Sequence, residues 1–267
     1  CMKYSSTKYI ILLLMLVSFV CKDLAGQEPD ELIGDRPDQT ESSITVPHKT
    51  LQIETGFLHM RSTDGDVENY LTEYNGTLLR YGLLKFLELR FGAGFEGNKI
   101  KMPISDNNPA ETTDNGFSPL SAGFKLNLFK GMNFIPQTAL IFEATIPKTG
   151  KSKPAKPDPS VMLACSNPLT QNLDFGYNIG VSTDQENNAA NGFYSLLIGF
   201  GAGERLGFFV ETFGTFLLES GDEWSADGGL TYLLGHNLQF DLYGGFGLNK
   251  TAPDYFIGTG IIYRIPH

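Results

Sequence analysis

From Leu51 onward, apolar and polar residues alternate with a period of two. In "LDFGYNIGVS", Leu173, Phe175, Tyr177, Ile179 and Val181 fall on one face, with Asp174, Gly176, Asn178, Gly180 and Ser182 on the other. "LQFDLYGGFGL" repeats the pattern. So does "YFIGTGIIYRI", which sets Tyr255, Ile257, Ile261 and Tyr263 against Gly258, Gly260 and Arg264. No stretch after Gln27 carries helical spacing. The pattern predicts an all-β chain of about twelve strands, starting near Leu51, Asn69, Leu84, Phe117, Phe134, Ser160, Leu173, Phe193, Leu206, Ser225, Leu238 and Tyr255.

The connections alternate in length. Tight links such as Gly82–Lys85 and Ala202–Arg205 follow the even-numbered strands. Longer polar loops, such as "STDGDVE" from Ser62 and "GNKIKMPISDNNPAETTDN" from Gly97, follow the odd-numbered ones. An even strand count with short turns at one end and long loops at the other describes a transmembrane antiparallel β-barrel, its short turns periplasmic and its long loops extracellular.

A soluble barrel or sandwich alternates as well, so the polar face has to decide. That face is mostly Gly, Ser and Asn with single charges, which suits a crowded barrel interior better than a wet sheet. Glu88 and Arg90 sit opposite Leu87, Leu89 and Phe91, and Lys125 sits opposite Phe124 and Leu126. A basic residue facing lipid at the midplane costs roughly 2–4 kcal/mol. The charged face therefore points inward, and Tyr81, Tyr255, Tyr263 and Trp224 near strand ends fit an interfacial girdle.

The N-terminal stretch changes the picture of where this barrel resides. Lys3 and Lys8 precede the apolar run Tyr9–Val20, and the small residues Ala25 and Gly26 follow. That order is an export signal, and the run is too short for a spanning helix of about 20 residues. The division expected is 1–26 signal peptide, 27–49 periplasmic or plug segment, and 50–267 barrel. Lipidation of Cys21 is the alternative processing route. After cleavage near Gly26 only Cys165 remains, so no intramolecular disulfide is expected. The formal net charge of −10 argues against a nucleic-acid partner.

The inward row holds Glu54, Glu88, Glu143, Asp174, Glu211 and Asp241 against Arg80, Arg90, Lys125 and Arg264, with Asn178 among them. Such groups must be paired or hydrated. One reading is a salt-bridge ladder that fixes strand register, and the other is a charged, pore-lining constriction that selects permeants. Putting Arg80 inside sends Glu73 outward unless a bulge intervenes.

Other motifs carry little. "GAGFEG" from Gly92 fits a dinucleotide fingerprint, but prolines Pro103 and Pro109 follow it where a helix would be needed. His48, His59, His236 and His267 have no serine or cysteine at a face-sharing spacing, so no catalytic triad is expected. No cofactor and no metal are expected.

The blocks "DRPDQTESS", "VPHKTLQIETGF", "LLRYGLLKFLELRFG" and "GFSPLSAGFKLNL" resemble, in order, the bacterial outer-membrane transporter family of the MetA pathway of phenol degradation. The similarity runs from about Leu32 to Arg264 and implies an outer-membrane barrel. Asp35, Arg36, Asp38 and Glu41 precede the first strand and are expected to fold into the lumen as a small plug, pairing with Arg80, Arg90 and Glu88; a flexible leader is the alternative. The function expected is passive passage of small, hydrophobic or aromatic molecules through the outer membrane of a double-membraned bacterium. Its partners would be the surrounding lipid and the permeant. The rivals are a lipid-modifying or hydrolytic barrel enzyme and a non-conducting structural barrel.

Overall fold

Among the described residues, fourteen strand segments, every pairing antiparallel, close into one sheet in which the first strand bonds both the second and the last. The computed structural model describes residues 32–103, 110–132, 135–146, 156–184, 189–217 and 221–265. The signal peptide expected over 1–26, with its cleavage point and Cys21, lies outside the described residues, as does His267. The segments are β1 (Leu51–Asp64), β2 (Val67–Leu84), β3 (Leu87–Ala93), β4 (Phe95–Met102), β5 (Ala110–Phe117), β6 (Leu120–Met132) and β7 (Ile135–Ile146). The second half adds β8 (Asp158–Pro168), β9 (Leu173–Asp184), β10 (Ala189–Ala202), β11 (Leu206–Leu217), β12 (Glu223–Leu234), β13 (Leu238–Gly247) and β14 (Tyr255–Arg264).

These make twelve staves. β2 bonds β3 along its lower part and β4 along its upper part, so β3 and β4 are one stave interrupted at Gly94. β3 pairs with β6 and β4 with β5, so β5 and β6 form another, interrupted at Ser118–Pro119. A proline cannot donate to the ladder, which accounts for the second break. At the same level β2 bulges around Tyr74–Asn75, where Gly56 pairs with Gly76 but Leu58 pairs with Glu73. The Asn75 side-chain oxygen accepts the Phe95 amide at 2.9 Å and ties the bulge to the break. The bulge reverses the facing of β2, so Arg80 and Glu73 both point inward.

Two loop expectations change. The stretch from Ser62 to Glu68 is strand, not loop, and the hairpin turns on Gly65–Asp66 alone. Much of the stretch from Gly97 is likewise strand, in β4 and β5. Polar residues hold a ladder here because both sheet faces see polar neighbours: Arg61 pairs outside with Glu68 at 2.5 Å and Asp254 at 3.2 Å.

Burial is inverted relative to a water-soluble protein. The largest fully buried side chains are Arg80, Lys125, Ile262, Gln52, Glu54 and Glu88, while Phe91, Ile179, Val181, Ile198, Val210 and Ile257 are exposed on the outside. Soluble proteins almost never bury Arg, Lys and Glu so completely while exposing an apolar belt. The outer surface is made to meet hydrocarbon, with Tyr81, Tyr263, Tyr255 and Trp224 exposed near the strand ends.

Candidate functional site: a charged segment inside the lumen

Residues 32–46 touch staves on every side of the barrel, and a segment that does so lies within the lumen. The Asp35 amide donates to Glu54 on β1 at 3.0 Å, and its carboxylate receives Arg90 on β3 at 2.5 Å and Lys125 on β6 at 2.8 Å. Arg36 pairs with Asp241 on β13 at 3.2 Å and lies over the Tyr243 ring. The Gln39 amide donates to Glu211 on β11 at 2.8 Å. The Thr40 hydroxyl also donates to Glu211 and lies 2.8 Å from Ser195 on β10. Asn178 on β9 donates to the Glu41 carbonyl, Ser43 meets Ser166 on β8, and the Val46 amide donates to Glu88 on β3.

The centre of this arrangement is a buried charge cluster. Arg80 bonds Glu88 and Glu54, each at 2.8 Å, and reaches the Ile44 carbonyl at 3.0 Å. Arg90 bonds Glu41 at 2.8 Å. Lys125 adds the Ser42 carbonyl at 2.8 Å. Each cation thus faces carboxylates and backbone oxygens together, which compensates the loss of water. Burial alone would push the Asp35 carboxyl up, but Arg80, Lys125 and Arg90 override it and hold it far below the usual carboxylate range. Asp38 has the opposite fate: burial, with Glu211, Asp35 and Asp227 nearby, pushes its carboxyl well above its ordinary value.

The remaining inward residues occupy the periphery. Glu143 stands 3.7 Å from Arg90, Arg264 bonds Gln52 at 3.1 Å, and Asp174 is exposed at the short-turn end. Sequence reasoning missed Asp227, which pairs in register with Glu211, although the alternation Ser225, Asp227, Gly229, Thr231 carries the signal. It also missed Gln52, whose amide donates to Ile33 and Glu54, and Glu96, the inward partner of Glu73. His59 bonds Thr72 at 2.9 Å on the outward face.

Cavities lie on both sides of the segment. Toward the long loops, a cavity of about 290 Å³ shares Gln39, Phe213, Gly214 and Thr215 with an apolar alcove of about 250 Å³ that also holds Leu58, Met60 and Phe256. The first also shares Glu41 and Glu143 with a third, of about 340 Å³, walled by Glu73, Glu96 and Arg90. Toward the short turns, a cavity of about 290 Å³ is lined by Leu32, Pro37, Asp38, Asp174 and Arg205. Arg36 lines this lower cavity and the third upper one, so its side chain is part of the partition.

A closed, inside-out antiparallel barrel with a polar lumen defines the class of outer-membrane barrels. The chain belongs to the family described as "Putative MetA-pathway of phenol degradation", whose profile matches residues 34–265. Among solved structures, the COG4313 outer membrane channel from Pseudomonas putida F1 is similar at 11% identity, with a TM-score of 0.61 over 84% of this chain and 98% of that one. The NanC porin is similar at 8% identity, with a TM-score of 0.51 over 80% of this chain and 100% of that one. At these identities the likeness is one of fold. Comparison with curated proteins gives no sequence match.

Proposed function

We propose that this chain is an outer-membrane channel for passive passage of small molecules, and that residues 32–46 act as its plug. The observation that carries the reading is Arg36, held to Asp241 across the lumen with a cavity on either side of it. The acidic and basic residues that anchor the segment, Glu54, Arg80, Glu88, Arg90, Lys125, Glu211 and Asp241, then act as its seat, with Glu143, Asn178, Asp174 and Arg264 along the path. The apolar alcove of Leu58, Met60, Phe213 and Phe256 supports small apolar or aromatic permeants, in keeping with the family's name. Uptake by vesicles tests the reading. Vesicles carrying residues 27–267 should admit small neutral aromatic solutes faster than protein-free vesicles, and equal rates would count against passage.

A further inference from the structure

Asp35 and Arg36 are held by opposite charges, whereas residues 38 to 40 rest on carboxylates. Glu211 on β11 and Asp227 on β12 oppose each other in register, both facing the lumen, and Asp38 stands near them. Asp227 is 8% exposed, and among the described residues neither of its carboxylate oxygens has a hydrogen-bond donor. Around the pair, β10 presents Ser195 and Leu197, β13 presents Gly245 and Tyr243, and the N-terminal segment presents Asp38, Gln39 and Thr40. None of these brings a positive charge, and the neighbouring Arg36 is committed to Asp241. Among the described residues no group of carboxylates is arranged to hold a metal ion.

Buried carboxylates side by side in a sheet do not both stay charged, and a shared proton is the simplest relief. Placed on Asp227, that proton is donated to Glu211. Glu211 is then the carboxylate that accepts from the Gln39 amide and the Thr40 hydroxyl, which is the arrangement observed.

We propose that Asp227, Glu211 and Asp38 form a proton-operated latch on the plug. With the proton in place, residues 38–40 stay against β11. When it leaves, two adjacent negative charges repel Asp38, the middle of the segment lifts off, and the lumen opens while Asp35 holds the segment to β3 and β6. The same surroundings push the Asp38 carboxyl above its ordinary value, so charge on Asp38 works against the closed latch as well. The latch rests on the reading of residues 32–46 as a plug.

Single-channel conductance of residues 27–267 in planar bilayers, from about pH 5 to about pH 9, tests it. The wild-type protein should conduct severalfold more at the alkaline end. Asp227→Asn places a permanent amide donor beside Glu211 and should stay low at every pH. Asp38→Asn, at a half-buried position that threatens folding less, should shrink the response. A steady, pH-insensitive conductance in the wild type, or an Asp227→Asn protein that opens as the wild type does, overturns the latch and leaves the channel reading standing. Silence at every pH in both the wild type and Arg36→Ala overturns the channel reading and the latch with it.

Discussion

Lys125 Nζ lies 2.8 Å from both carboxylate oxygens of Asp35, a residue 90 positions earlier in the chain. That contact joins the N-terminal segment to the barrel wall, and both groups are almost wholly removed from water. Asp35→Ala should therefore destabilise the protein by about 3–5 kcal/mol, because it leaves Lys125 buried with little compensation. Asp35→Ala combined with Lys125→Met should recover part of the loss. Urea unfolding of the single and double variants measures both, and a single variant within 1 kcal/mol of wild type, at about the noise of such a measurement, would contradict the account.

Acid should loosen the same anchor. The Asp35 carboxyl is held far below its ordinary value of 3.8 in the folded protein, so the unfolded chain takes up the proton first. The stability it contributes is complete at neutral pH and is lost as pH falls below about 4. Thermal midpoints recorded down this range should fall for the wild type and fall less for Asp35→Asn. Parallel curves would show that Asp35 is not the group responsible.

Much of this was legible in the sequence. The period of two fixes which side chains share a face, and the confinement of Glu88, Arg90 and Lys125 to one face sets the direction of that face. Strand two was the hard case. Strict alternation cannot put Arg80 and Glu73 on the same side, and the bulge at Tyr74–Asn75 that does so depends on the neighbouring break at Gly94, a pairing between strands that a linear pattern does not contain. The extension of β1 and β2 past Ser62 was hidden for a related reason: polar residues form strand wherever a partner strand continues, and local hydropathy reads them as loop. The contact list of Asp35 was accessible only in outline. Its charge invited pairing with Arg90, but Lys125 joins it because β3 pairs directly with β6, which sets Lys125 opposite Glu88.

Gly56 and Gly260 are opposite each other on β1 and β14, and a Cβ at either would collide with the Arg36 guanidinium. Gly260→Ala should therefore displace Arg36 from Asp241 without removing a charge. Its conductance should resemble that of an Arg36 variant. Conductance unchanged from wild type would mean that Arg36 has room to rearrange and keep the passage closed.

Charge selection should favour cations. Carboxylates outnumber cations around the two upper cavities, which Glu41, Glu54, Glu73, Glu96 and Glu143 line together with Arg36 and Arg90. Reversal potentials across a salt gradient should show cation preference, reduced in Glu73→Gln and Glu143→Gln. An anion preference in the wild type would contradict this assignment of the lumen's charge.

The central claim is that residues 32–46 close the lumen, with Arg36 at the partition. Its most direct test is single-channel conductance of Arg36→Ala beside the wild type at neutral pH, in the same bilayer and salt. Larger and more frequent conductance steps in the variant are the predicted result. Identical conductance, in a variant whose folding is unaltered, would contradict it.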